Sequence, residues 1–433
     1  MPSFPAAALA LALSAALTAP PTVAAAFTLD RFVISGWVDP VVPPANFTAE
    51  YARMQRAGLT TLLGGFGATD PASVRAQVAA CAAAGLACIP SACETSAGPG
   101  PAGTCVGSVG GPVLGYQMFD EPTADQFPAL ATWAASVAAR APGALRFINL
   151  LPNYGPFATE AAYAAYVSDF VAVVKPDILC FDHYPLWDQP PSSDISPAGY
   201  LRNLAVIRSA ALAASMPFFN FMNVMPYGGR PDVSEAQVRW QVFASLAFGS
   251  SGLLYFCYWS PAGVTFQWGN AIMTPRGGGE YVEGPKFALV QRVNAKLGAF
   301  GAYLLNASSR FVFAANGTSS SNTTVVPTAA IAVVGGSGVG AAWSVLLGGF
   351  APAGAPAGAA ASAFVLLNSD TMLPAVLSLA LSADAGVACE LDAAGARGPL
   401  YDDAPAMPGL QLYLREGDAR LLFFVAEGAS CSP

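Results

Sequence analysis

Eight short apolar runs spaced through residues 31–259 constrain this chain more than any other feature. They are RFVISGWV (31–38), TTLLGGFG (60–67), ACIPSACE (87–94), VLGYQMFDE (113–121), RFINLLPN (146–153), DILCFDHYP (177–185), FFNFMNVM (218–225) and GLLYFCYW (252–259). Each has the length and residue types of a strand. Between them lie Ala-rich segments such as TAEYARMQRAG, DPASVRAQVAACAAAG and TADQFPALATWAASVAARAP. These open on Thr, Asp or a nearby Pro, and several close on Gly or Pro, the start and stop signals of helices. Eight βα units in one block predict an α/β fold, a (β/α)8 TIM barrel, whose usual size is ~250 residues. A doubly wound open sheet would need fewer strands or a nucleotide loop. No GxGxxG or GxxxxGK[ST] follows the first strand. The segment GPKFALVQRVNAKLGAFGAYL reads as the helix that closes the barrel.

After Leu305 the pattern changes. A Ser/Thr/Asn/Gly stretch gives way to AAIAVVGG, AAWSVLLGGF, AFVLLNS, AVLSLALS, LQLYLRE and ARLLFFVAE. Alternation and turn residues predict a small C-terminal antiparallel β-sandwich. The expected division is a signal peptide over 1–26, the barrel over 27–305 and the sandwich over 306–433.

The first residues, MPSFPAAALALALSAALTAPPTVAAAF, combine an apolar stretch with small residues at Ala24 and Ala26, as a cleaved secretory signal does. Sequons at Asn46, Asn306, Asn316 and Asn322 agree with a secreted or cell-surface glycoprotein. Three of them fall in one polar stretch. Eight cysteines form an even set. One or two local bridges are expected among Cys81, Cys88, Cys93 and Cys105, and another between Cys389 and Cys431. Cys180 and Cys257 lie inside apolar runs and read as buried thiols. Segment 327–350 is apolar, but GGSG breaks it into strands and turns, leaving no stable membrane insertion once the signal is removed.

Charged residues make up only 11% of the 433 residues, so each is informative. A net charge of −8 and the lack of a basic stripe argue against nucleic acid as a partner. The single histidine excludes a multi-histidine metal site. No cofactor is implied.

Barrel active sites lie at the C-terminal ends of the strands. There the eight runs present Trp37 and Asp39; Phe66; Glu94; Asp120 and Glu121; Asn149, Asn153 and Tyr154; Asp182, His183 and Tyr184; Asn220 and Asn223; and Tyr258 and Trp259. Aromatic rings stack on the apolar faces of sugars, and acids and amides hydrogen-bond their hydroxyls. Two carboxyls flanking a glycosidic bond can act as acid and as base or nucleophile. Asp120-Glu121-Pro122 also suits a helix N-terminus, where acids satisfy unpaired amides.

GYQMFDEP (115–122), followed by INLLPNYG, DILCFDHYP and GLLYFCYWSP, resembles secreted glycoside hydrolases of the clan A barrel type. In outline it is similar to the family 42 β-galactosidase-like group, over roughly residues 31–300. The resemblance implies that Glu121 is the general acid/base, with Asp120 standing where the clan usually has Asn. It also implies a nucleophilic glutamate on strand seven, but FFNFMNVMP carries no carboxylate. Asp182 is the favoured substitute, as nucleophile or as base for water; Glu94 is a second candidate. An apolar wall of Phe119 or Trp259, with the charge of Asp120, is expected to raise the pKa of Glu121. Trp37, Asp39, Glu94, Asp120, Asn149, Asn153, His183, Tyr184, Asn220, Tyr258 and Trp259 are expected to contact a carbohydrate. The rival expectations are a catalytically inactive glycan-binding barrel and a structural cell-surface glycoprotein.

Overall fold

The computed structural model describes residues 27–93, 105–190, 192–261, 269–277, 280–318, 330–338, 342–382, 385–403 and 410–431. The signal expected over 1–26 lies outside them, as do Glu94 and Asn322.

All eight apolar runs form strands: β1 (Val33–Gly36), β2 (Thr61–Leu63), β3 (Ala87–Ile89), β4 (Gly115–Asp120), β5 (Leu145–Leu150), β6 (Leu179–Asp182), β7 (Phe218–Asn223) and β8 (Gly252–Phe256). Pairing is parallel from β4 through β8 and on to β1. β2 pairs with β3. Two sets of backbone bonds join these sheets. Thr60 N–H donates to Ile34 O at 2.9 Å, and Leu114 and Gln117 donate to Cys88 O and Pro90 O, each at 2.8 Å. The ring therefore closes into an eight-stranded barrel.

The helices are α1 (Phe47–Arg56), α2 (Pro71–Ala83), α3 (Phe127–Arg140), α4 (Glu160–Val174), α5 (Pro197–Ala213), α6 (Glu235–Ala247) and α7 (Phe287–Leu304). Four of them, α2, α4, α5 and α6, start on a side-chain cap. Asp70 accepts from Ala72 and Ser73 N–H at the head of α2. Thr159 and Ser196 do the same for α4 and α5, and Ser234 and Gln237 form a reciprocal capping box on α6. Seven α-helices lie among the described residues; residues 94–104, between β3 and β4, lie outside them. A Cys93–Cys105 disulfide ties the two ends of that connection. A hairpin, β9 (Met273–Gly277) with β10 (Glu280–Glu283), lies between β8 and α7.

The C-terminal strands are β11 (Ala307–Thr318), β12 (Ile331–Gly338), β13 (Ala342–Pro352), β14 (Ala363–Asn368), β15 (Ala375–Leu381), β16 (Val387–Leu391), β17 (Arg397–Pro399), β18 (Leu410–Leu414) and β19 (Ala419–Val425). They make two antiparallel sheets, β11-β13-β14-β19-β16-β17 and β12-β15-β18. Side chains alternate along each strand. Ala363, Val365, Leu367, Leu421 and Phe423 join the barrel's own core. Phe364, Leu366 and Leu422 instead face Leu377, Leu379 and Leu412 of the second sheet. At Gly348 of β13 an added Cβ would lie 2.2 Å from Ala247 O of α6, so glycine permits the close approach of sandwich and barrel. Arg239 of α6 donates through Nη2 to Glu416 O at 2.6 Å, and Lys296 of α7 pairs with Asp418 at 2.8 Å.

Cys389 and Cys431 are bridged. Cys180 and Cys257 are buried thiols, and so are Cys81 and Cys88, whose sulfurs lie 3.2 Å apart. Asn46, Asn306 and Asn316 are exposed. Among the described residues, no helix is long and apolar enough to cross a membrane.

Candidate active site

The C-terminal mouth of the barrel holds a cleft of about 260 Å³, lined by Trp37, Asp120, Glu121, Asn149, Tyr154, Asp182, Tyr184, Phe221, Tyr227, Arg230 and Phe256. Two backbone features aim the acids into it. Pairing of β4 with β5 slips between Gln117 and Phe119, leaving Met118 as an extra residue, and such a bulge re-aims the residues that follow. Glu121 then adopts φ +48°, a left-handed conformation that costs a non-glycine residue of order 1–3 kcal/mol. Its N–H is anchored to Asn149 O at 2.8 Å.

Asn149 organises the acids. Its Nδ2 donates to Asp120 Oδ1 at 3.1 Å and to Asp182 Oδ1 at 3.2 Å. Asp182 and Glu121 are close enough for their ionisations to be coupled. Burial holds all three carboxyls above their ordinary range. Asp182 is raised well above it, by burial first and then by the charges of Glu121 and Asp120. Asp120 rises to about 6 through burial, opposed by the Asn149 bond and reinforced by Glu121. Glu121 is raised by burial, opposed by its interaction with Asp182 and by the Arg230 charge. Asp120 and Glu121 are open to solvent, yet protein walls the cleft around them, so accessibility and desolvation coexist there. The expected wall is different in detail: Trp259 lies outside the cleft, 3.8 Å from the Tyr281 ring in a stacked pair beneath the hairpin. Asp120 is not among the causes of the Glu121 shift.

Of the residues anticipated from strand ends, Trp37, Asp120, Glu121, Asn149, Asp182 and Tyr184 come together in the cleft. Others do not. Asp39 is fully buried and accepts from Phe66 N–H, Gly67 N–H and Gln77 Nε2, so its carboxylate ties the loop after β2. Asn153 and His183 belong to a network around Asn203. Asn153 N–H and the His183 imidazole both bond Asn203 Oδ1, and burial pushes the His183 pKa down to about 3. Asn220 turns outward to Tyr200 and Ser245, while its neighbour Phe221 faces the cleft, as strand alternation requires. Asn223 is buried beside Gln241. Tyr258 is fully buried.

Tyr154, seen at the end of the fifth run, lines the cleft. Phe221, Tyr227, Arg230 and Phe256 were not anticipated. Tyr227 and Arg230 close a tight turn through mutual backbone bonds, with Gly228 at φ +49° and Gly229 at φ +84°. Positive φ at both central residues is the property of a type I′ turn, and Gly-Gly supplies it. That dipeptide is the signal that could have located this wall.

No family model matches the chain, and no curated protein matches it. Among solved structures it is similar to the β-galactosidase of the psychrophilic Marinomonas ef1, at 11% identity and TM-score 0.49, with 63% of this chain and 61% of that one covered. It is also similar to the β-galactosidase of the Antarctic haloarchaeon Halorubrum lacusprofundi, at 12% identity, TM-score 0.45 and coverage of 61% and 58%. A family 51 α-L-arabinofuranosidase from Bifidobacterium longum aligns over 92% of this chain and 96% of that one, at 11% identity and TM-score 0.44. The chain spans roughly three fifths of the length of the two β-galactosidases.

Proposed function

We propose that this protein is a secreted glycoside hydrolase whose cleft accepts a sugar residue and whose Glu121 acts as general acid/base. The observation that carries the reading is the meeting of three carboxyls of raised pKa, Asp120, Glu121 and Asp182, beneath an aromatic wall at the barrel mouth. Perturbed acids cluster where protons are transferred. Trp37, Tyr184, Phe221 and Phe256 offer ring faces and edges to a sugar. The two disulfides agree with an oxidising compartment.

The chemistry follows from the proton count. Glu121 and Asp182 share one proton between them, so it belongs to the pair rather than to either residue. Glu121 is the accessible member and presents that proton to the leaving oxygen as the glycosidic C–O bond breaks. A retaining pair flanks the anomeric carbon at ~5–5.5 Å, whereas Asp182 is coupled directly to Glu121 as its neighbour. Asp182 therefore acts with Glu121 rather than across the sugar from it. Asp120, ionised above about pH 6, takes the role of base, accepting the proton of the attacking water.

The absence of a carboxylate on β7, where Phe221 fills the wall, favours a second reading in which the barrel binds glycan without cleaving it. Sugar release from a panel of aryl glycosides and polysaccharides, by the wild type beside Glu121→Gln, separates the two. Turnover by the wild type that the variant loses supports the hydrolase. Glycan binding by both proteins with no release from any substrate supports the binding barrel.

A further inference from the structure

Among the described residues Arg230 is the only basic side chain lining the cleft. The turn Tyr227–Arg230 and the segment after β6 hold it among three rings. Its guanidinium carbon lies 4.2 Å from the centroid of Trp187, 4.3 Å from Tyr227 and 5.2 Å from Tyr184. The rings are fixed in turn: Trp187 Nε1 donates to Tyr184 O at 3.0 Å, and Trp187 packs on Gly229, where an added Cβ would meet its ring at 3.3 Å. Aromatic faces cover the flat sides of a guanidinium and leave its N–H edge available.

That edge is under-used. No ion pair among the described residues involves Arg230. Its Nε is buried and has no hydrogen-bond acceptor, and a buried donor without a partner is costly. The Tyr154 phenol lies close enough to Arg230 for the guanidinium to lower its pKa against burial. A sugar hydroxyl could accept from the guanidinium edge that lines the cleft but would leave the charge unbalanced. An oxyanion matches both the charge and the fork of parallel N–H groups.

We propose that Arg230 is the receptor for an anionic group, and that the sugar bound in this cleft carries one, a uronate carboxylate or a sulfate ester. This rests on the reading of the cleft as a glycosidase site and adds its substrate class. The proton held by the Glu121–Asp182 pair lowers the negative charge an incoming anion meets. Neutralising Arg230 would also remove an influence that holds Glu121 down, so a bound anion would favour the protonated, donating form of the acid.

The test is calorimetric titration of the full-chain Glu121→Gln protein with methyl hexuronides, methyl hexosides and 6-sulfated hexosides, repeated with Arg230→Gln and Arg230→Lys added. Circular dichroism of each variant checks its fold. We expect anionic sugars to bind at least about tenfold more tightly than neutral ones, and Arg230→Gln to erase the difference. Arg230→Lys, which keeps the charge but not the fork, should retain part of it. A preference for hexuronide over sulfate identifies the carboxylate as the source, and the reverse identifies the ester. Equal or tighter binding of neutral sugars, or a preference that survives Arg230→Gln, overturns the proposal. Aryl hexosides hydrolysed without any binding preference would sink this inference and leave the hydrolase reading standing. Hexuronides bound through Arg230 yet never cleaved by the wild type would do the opposite.

Discussion

Asn149 Nδ2 lies 3.2 Å from Asp182 Oδ1, and the same amide nitrogen reaches Asp120 on its other side at 3.1 Å. One amide group thus spends both its protons on two acids of the cleft. Each bond favours the ionised form of its carboxyl, against a burial that raises both. Replacing Asn149 with alanine should let Asp120 rise above its value of about 6. The acid limb of the kcat profile should move to higher pH, with kcat down about tenfold or more. A pH–rate series on one aryl glycoside measures both.

Asp182→Asn removes the titrating partner of Glu121 and keeps a donor in its place. In the wild type the last proton of the pair is held well above the ordinary carboxyl range, because burial and the neighbouring charges raise Asp182. In the variant the only proton left to donate is that of Glu121 itself. The basic limb, where activity falls as the acid ionises, should move down by about one pH unit or more. A limb that stays in place would show that the two groups do not share a proton during turnover.

Asp39 gives a stability prediction with a definite sign. Burial raises its folded pKa from 3.8 to about 6, so the folded state binds the proton more tightly than the unfolded chain. The stabilisation is complete below pH 3.8 and is lost as the pH rises through 6, by roughly 3 kcal/mol for this fully buried group. Urea denaturation at a series of pH values should show the decline. In Asp39→Asn that part of the slope should flatten.

The contact between barrel and sandwich depends on a missing side chain. A Cβ at position 348 would lie 2.2 Å from Ala247 O, a backbone atom that has no rotamer to yield. Gly348→Ala should destabilise the protein by about 1–3 kcal/mol, read from the denaturant midpoint. The effect on hydrolysis, measured on folded protein, should be small, because the cleft opens on the barrel mouth and among the described residues no sandwich residue lines it.

The barrel was legible because parallel strands buried between helices are short, continuous and apolar, and because Asp70 marks a helix start by a mechanism local to the chain. The Cys93–Cys105 bridge across the connection from β3 to β4 was legible only as one of several pairings among four clustered cysteines. The acids of β4 and β6 could be found because strand ends point at a barrel's mouth. Side-chain parity was harder. Asn220 and Phe221 are neighbours, and only the register of β7 decides which of them sees the cleft. Asp39 sits at a strand end, but the loop that folds two amides and Gln77 onto it comes from another part of the chain. Arg230 lies seven residues beyond the end of β7, where reading strand ends does not look.

Rates across aryl glycosides of graded leaving-group basicity, for wild type and Glu121→Gln, test the central claim most directly. A general acid matters most when the departing oxygen is basic. The account predicts a steep dependence on leaving group in the variant and a shallow one in the wild type, with nearly equal rates on the most activated substrate. Parallel lines, with the variant slower by the same factor on every substrate, would contradict proton donation by Glu121.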